Sequence, residues 1–208
     1  MFETTPKYEP RMKLGEHYEK NLLGTVDFDD PDYKRDLEKI KKPARLNSGL
    51  NYYINFKDAL GLVRKYQPKK EKSKERVGLD NPQKRFLDDL RWEIVEGLGL
   101  KEEGVDKLRV YTSDGSPLDY LHGADFVIDW DGKIMTADIS LKREKKAQSK
   151  KADIMILKEI PSPLDKEQEK EYWARVEAVG RQVASKFIKD EYHGDYPLNQ
   201  KEEQKVAA

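Results

Sequence analysis

The sequence predicts an α/β domain, a small mixed β-sheet flanked by helices, carrying an N-terminal helical extension. Three observations carry that expectation. Phe86, Leu87, Leu90, Ile94 and Leu98 recur at helical spacing and form one apolar stripe. Between Ala124 and Lys142 two runs alternate apolar and polar residues on either side of Asp131-Gly132, a dipeptide that tolerates the positive φ angles of a two-residue hairpin turn. Tyr172, Val176, Val179, Val183 and Phe187 then make a second helical stripe.

Residues 1–78 form the extension. Pro6, Pro10, Pro31 and Pro43 lie there among dense charges, so only short helices fit, such as Asp32 to Ile40. Leu46 to Tyr66 is more apolar and predicts one or two helices of a small N-terminal lobe. The basic, proline-broken stretch 65–76 reads as a linker or mobile arm.

The core, residues 79–192, opens at Asn81-Pro82, an Asx cap followed by proline at the first helical position, and its helix runs to about Gly97. Glu93 falls at the edge of the apolar stripe, which makes it the acid best placed to lean towards whatever the helix packs on. A connector carries Leu108-Arg-Val-Tyr111. The first hairpin strand then sets Ala124, Phe126, Ile128 and Trp130 against Asp125, Val127 and Asp129. The second sets Met135, Ala137, Ile139 and Leu141 against Ile134, Thr136, Asp138, Ser140 and Lys142. A third strand follows at Ala152 to Leu157. Ser162-Pro163-Leu-Asp165 has the form of a capping box and opens a long helix to about Lys189, and residues 193–208 form a charged flexible tail.

Composition narrows the chemistry. Hydrophobic residues make up 37% and charged residues 38% of 208, so the core must be small and much of the chain solvated. With 40 acidic and 40 basic residues the net charge is zero, and any surface for a polyanion must be local. Absence of cysteine excludes disulfides and thiolate metal sites, and only His17, His122 and His193 offer imidazole. A metal would therefore be a hard cation held by carboxylates. No apolar run approaches the roughly 20 residues needed to span a bilayer, and the N-terminus lacks a signal-peptide core. We expect a cytoplasmic protein without membrane contact.

The hairpin register defines the candidate site. If Asp131-Gly132 is the turn, Trp130 pairs with Lys133, Val127 with Thr136 and Asp125 with Asp138. Cross-strand β-carbons lie about 4.5–5.5 Å apart, and like charges so placed are destabilising. A divalent cation bridging the carboxylates would offset the repulsion and supply phosphodiester-hydrolysis chemistry. Asp129 on the same face is expected to be solvated, Asp153 to cap the edge of the third strand, and His122 to be a turn residue. Trp92, Trp130 and Trp173 read as packing residues.

The order of a helix acid, Gly123-Ala-Asp125, and Ala137-Asp138-Ile-Ser-Leu-Lys142 resembles the PD-(D/E)xK nuclease superfamily, over roughly Pro82 to Lys189. The resemblance implies a restriction-endonuclease-like core and DNA cleavage with Mg²⁺ or Mn²⁺. Glu93, Asp125 and Asp138 would hold the metal, Ser140 would sit beside it, and Lys142 would assist the nucleophile. In that superfamily the lysine stands two residues after the acid. Here Ser140 stands there, and Lys142 starts on the order of 13 Å from Asp138 along an extended strand, at about 3.3 Å per residue. The run from Lys142 to Lys151 holds six basic residues and one acid in ten positions, and Lys142, Arg143, Lys145, Lys146, Lys150 and Lys151 would grip phosphates. Such a loop does not distinguish sugars, which leaves RNA open as a substrate. Two other readings stay open. One is a nuclease-fold protein without catalysis that binds nucleic acid. The other is an assembly or interaction module that meets a protein partner, or a second copy, through the N-terminal extension.

Overall fold

In a computed structural model, which describes residues 14–43, 51–68, 84–140 and 152–195, the chain begins with α1 (Leu14–Leu23), α2 (Pro31–Ile40), β1 (Lys42–Pro43), β2 (Tyr52–Tyr53) and α3 (Phe56–Lys65). Next come α4 (Arg85–Leu98), α5 (Glu102–Val105), β3 (Leu108–Thr112), α6 (Pro117–His122), β4 (Phe126–Trp130) and β5 (Lys133–Ile139). It ends with β6 (Ile154–Ile156), α7 (Glu169–Ile188) and β7 (Gly194–Asp195). Among these residues no helix is long and apolar enough to cross a membrane. Positions 69–76 of the expected linker and 196–208 of the expected tail lie outside the described residues, whereas Tyr66 and Gln67 are buried.

The architecture is mixed α/β. Strands β3, β4 and β5 form an antiparallel meander, and β6 adds to β5 in parallel. β7 pairs antiparallel with the start of β5, so β6 and β7 share its outer edge. Between them, Asp153 takes over the pairing: its Oδ2 accepts from the Thr136 N–H at 2.7 Å and from the Thr136 hydroxyl at 2.8 Å. A separate two-stranded ribbon joins β1 to β2.

The hairpin has the predicted turn and register. Asp131 (φ 53°) and Gly132 (φ 88°) both adopt positive φ, as a twisted two-residue connection requires. Trp130 faces Lys133 and Val127 faces Thr136. The Leu108–Tyr111 connector is itself a strand. Side chains cover its outer edge: Gln67 both donates to and accepts from the backbone of Thr112, and Arg91 Nε donates to the Leu108 carbonyl at 2.8 Å. An edge covered in this way offers little to a foreign strand.

One face of the sheet, with Leu108, Val110, Phe126, Ile128, Met135, Ala137, Ile139 and Ile154, packs on α4 and α7. The two helices approach closely; a β-carbon added at Gly180 would lie 2.5 Å from Glu93 Cβ. All five residues of the α7 stripe are buried, as predicted. The helix begins later than the capping box suggested, because residues 162–168 stay in turns closed by Ser162 and Asp165. Asn81 and Pro82 lie outside the described residues, and α4 begins at Arg85 and closes on Gly99 in the left-handed region.

The opposite face is covered by the extension. Val26, Tyr33, Ile54, Ala59, Leu60, Val63 and Tyr66 share a buried cluster with Tyr111, Leu118, Ala124, Val127 and Ile134. Helices α2 and α3 thus pack onto this face rather than forming a lobe of their own, whereas α1 puts Leu22 and Leu23 into the cluster of α4 and α7. Arg64 of α3 ties the layers together, its guanidinium meeting Asp129 Oδ2 at 2.7 Å. Asp129 is only 2% exposed, and its other oxygen accepts from the Gly132 N–H. It is not the solvated residue expected near a turn, because a cation 65 positions earlier in the chain reaches it.

Candidate metal centre

The candidate site lies where the β4–β5 ladder ends. The regular register stops at Phe126↔Ala137. The N–H of Asp125 also turns to the Ala137 carbonyl, at 2.8 Å, so two successive residues address one partner in the manner of a β-bulge. The alternation is broken accordingly. Ala124, expected to face the same way as Phe126, belongs to the cluster of Val127 on the other face.

Because of this bulge the carboxylate of Asp125, not its backbone, continues the ladder. Its Oδ2 accepts from the Ile139 N–H at 2.6 Å. On the β3 side, the Asp125 carbonyl accepts from the Ser113 N–H at 2.9 Å, and the Ser113 hydroxyl donates to the Ala124 carbonyl at 2.6 Å. The side chain is therefore held by β5, and its backbone by Ser113 at the end of β3. Just before it, α6 is framed by Ser116, which caps its N-terminus ahead of Pro117, and by Gly123, in the left-handed conformation at its end.

Asp125 is 6% exposed. Burial pushes its carboxyl up to about 8, the Ile139 N–H opposes this, and the charges of Asp138, Asp119 and Glu19 push it further up. Among the described residues the Asp138 charge weighs most on it, although the regular register ends before the predicted Asp125–Asp138 pair. Asp138 lies half-buried on β5, opposite Met155 of β6. The charges of Asp138, of Asp119 on α6 and of Glu19 on α1 thus all act on Asp125.

Glu93 does not join them. It stands on α4 and packs against Gly180 of α7. Desolvation raises its pKa, followed by the charges of Glu96 and Glu177. A helical stripe identifies which side of α4 is buried but not which layer that side meets. The helix acids whose charges reach Asp125 are Asp119 of α6 and Glu19 of α1. The signal for Asp119 was in the sequence, as the acid inside the Ser116-Pro117 helix start that ends at Gly123, only two residues before Asp125.

Ser140 is 4% exposed, and its N–H continues the parallel pairing to the Ile156 carbonyl at 2.9 Å. Lys142, Arg143, Lys145, Lys146, Lys150 and Lys151 lie outside the described residues. His122 packs as a structural residue, its Nε2 within 3.0 Å of the Ile54 carbonyl.

Two carboxylates suit a hard divalent cation, which completes its shell with water and substrate phosphate. Asp125 fits that role: one oxygen is held by Ile139, and no described residue hydrogen-bonds to the other. Among the described residues no three acid or histidine side chains stand at ligand spacing, so the described residues' share of such a shell would be Asp125 and Asp138. No family model, curated protein or solved structure matches the chain.

Proposed function

We propose that this chain is a metal-dependent nuclease that hydrolyses DNA phosphodiester bonds, with Asp125 and Asp138 as the residues that hold Mg²⁺ or Mn²⁺. One observation carries the reading. A buried carboxylate is anchored by a backbone N–H, and among the described residues the charge that weighs most on it is that of another acid, an arrangement that disfavours ionisation unless a cation compensates. A bound divalent cation supplies Lewis-acid polarisation of the phosphoryl oxygen and a more acidic water.

The chain's own residues supply position. The bulge and the Ile139 N–H aim Asp125, and the pairing of β5 with β6 holds Asp138. Ser140 flanks the site, and Lys142, with the basic residues that follow it, is assigned to the nucleophile and the flanking phosphates. The experiment is cleavage of single-stranded, double-stranded and branched DNA, with an RNA arm, in Mg²⁺, Mn²⁺ or chelator. We expect divalent-dependent cleavage that falls at least ~100-fold in Asp125→Asn and Asp138→Asn, since even residues supporting a metal ligand are worth 10–100-fold. Cleavage that ignores chelator and both substitutions would refute the assignment.

Ser140, at the position where the superfamily pattern has lysine, favours a second reading in which the same fold binds nucleic acid without cutting it. That version predicts salt-sensitive binding and no products under any metal condition.

A further inference from the structure

We infer that the β1–β2 ribbon and the outer side of α6 form a stacking ledge for the unpaired bases of a single-stranded nucleic acid, beside the aspartate site. The inference rests on the proposed nuclease reading for its placement, but its chemistry stands on other residues.

The ledge is aromatic and open. Tyr53 on β2 is 39% exposed and Tyr120 on α6 is 41% exposed. Their supports are rings rather than aliphatic chains. His122 packs edge-on to Tyr53, with centroids 5.9 Å apart, and to Phe56, at 5.5 Å. The hydroxyls of Tyr52 and Tyr120 lie 3.1 Å apart, which links the ribbon to α6. The His122 contact with the Ile54 carbonyl fixes the ring between them. Two tyrosine rings are thereby held, partly exposed, on a braced base.

Charge identifies the occupant. Lys42 pairs directly across the ribbon with Tyr53, and both are exposed. Lys57, also exposed, follows Phe56 at the start of α3. A cation beside an exposed aromatic face suits a nucleotide, with the phosphate on the lysine and the base on the ring, whereas a purely apolar partner would leave the lysines unused. A duplex keeps its bases stacked on each other and offers no free faces. Location agrees: α6 carries Tyr120 on one side and Asp119, whose charge reaches Asp125, in the same helix, and His122 precedes Asp125 by three residues.

The test is binding of a fluorescein-labelled oligo-dT of 20 nucleotides to the full chain in chelator, read by anisotropy so that cleavage plays no part. Tyr53→Ala and Tyr120→Ala should each weaken binding by roughly 5- to 100-fold, the range expected for one stacked base, with Tyr53→Phe close to the parent. Lys42→Gln should reduce the slope of log affinity against log salt by about 0.7, the value for one phosphate contact on a single strand. A duplex of equal length should bind more weakly and ignore the tyrosine substitutions. Unchanged melting temperatures would show that the exposed tyrosines are not needed for folding. Parental affinity in both alanine variants, or a duplex that binds as well as oligo-dT, overturns the ledge, and so does absence of oligo-dT binding. Oligo-dT affinity in chelator and cleavage in Mg²⁺ are read separately, so failure of the nuclease reading and failure of the ledge give different results.

Discussion

Asp125→Asn should be more stable than the parent chain above neutral pH, and its advantage should grow between about pH 4 and pH 8. The folded carboxyl is pushed up to about 8, chiefly by burial, while an unfolded aspartate titrates near about 3.9. The stabilising proton is fully in place below the unfolded value and is lost as pH rises through the folded one. Parent stability should therefore fall across that window relative to the Asp125→Asn chain, by up to about 1.4 kcal/mol for each pH step of one and a few kcal/mol in total. Asparagine keeps an oxygen for the Ile139 N–H, so the hydrogen bond survives the substitution. Urea denaturation of both proteins at pH 5, 7 and 8.5 in chelator measures the difference. Parallel pH profiles would show that Asp125 is not held in an unfavourable charged state.

The second large effect concerns the pair that joins the extension to the sheet. Arg64→Met leaves Asp129 buried without its countercharge and should cost about 3–5 kcal/mol. Combining Arg64→Met with Asp129→Asn removes both charges while retaining an acceptor for the Gly132 N–H, and should recover most of that loss. Denaturation midpoints of the two variants decide the matter. A single variant within about 1 kcal/mol of the parent would mean that α3 is held by apolar packing alone.

How much of this is legible in the sequence depends on the range of the interactions. The hairpin is legible because its determinants are adjacent: Asp131-Gly132 fixes the turn, and a period of two fixes the faces up to Phe126. The stripe of α7 is legible for the same reason. The bulge at Asp125 is not, since a ladder bond shared by successive residues follows from the end of the sheet rather than from local spacing. Its effect is to move Ala124 to the other face and to put a carboxylate where a backbone group would have accepted.

Longer-range relations lie beyond local pattern. Asp129 reads as a solvated turn residue because nothing near it in the chain neutralises it; Arg64 does so from another helix. Glu93 reads as a ligand because the stripe of α4 leaves it at the boundary of the buried side, yet that boundary meets α7. Helix α6 is too short for a stripe to reveal it, although Ser116, Pro117 and Gly123 mark its two ends. Of the three proposed ligands, Asp138 acts through its charge on Asp125 past the end of the regular ladder, whereas Glu93 stands against α7.

The most direct test of the central claim is the shift in melting temperature caused by Mg²⁺ or Mn²⁺ at pH 8, compared in the parent, Asp125→Asn and Asp138→Asn chains. If Asp125 and Asp138 form one cation site, the metal stabilises the parent by preferential binding to the folded state, and Ca²⁺, too large for the same coordination, does so less well. Either asparagine should abolish that shift, with Asp138→Asn testing the site without removing the buried carboxyl. Equal shifts in all three chains, or none in the parent at millimolar metal, would contradict the account.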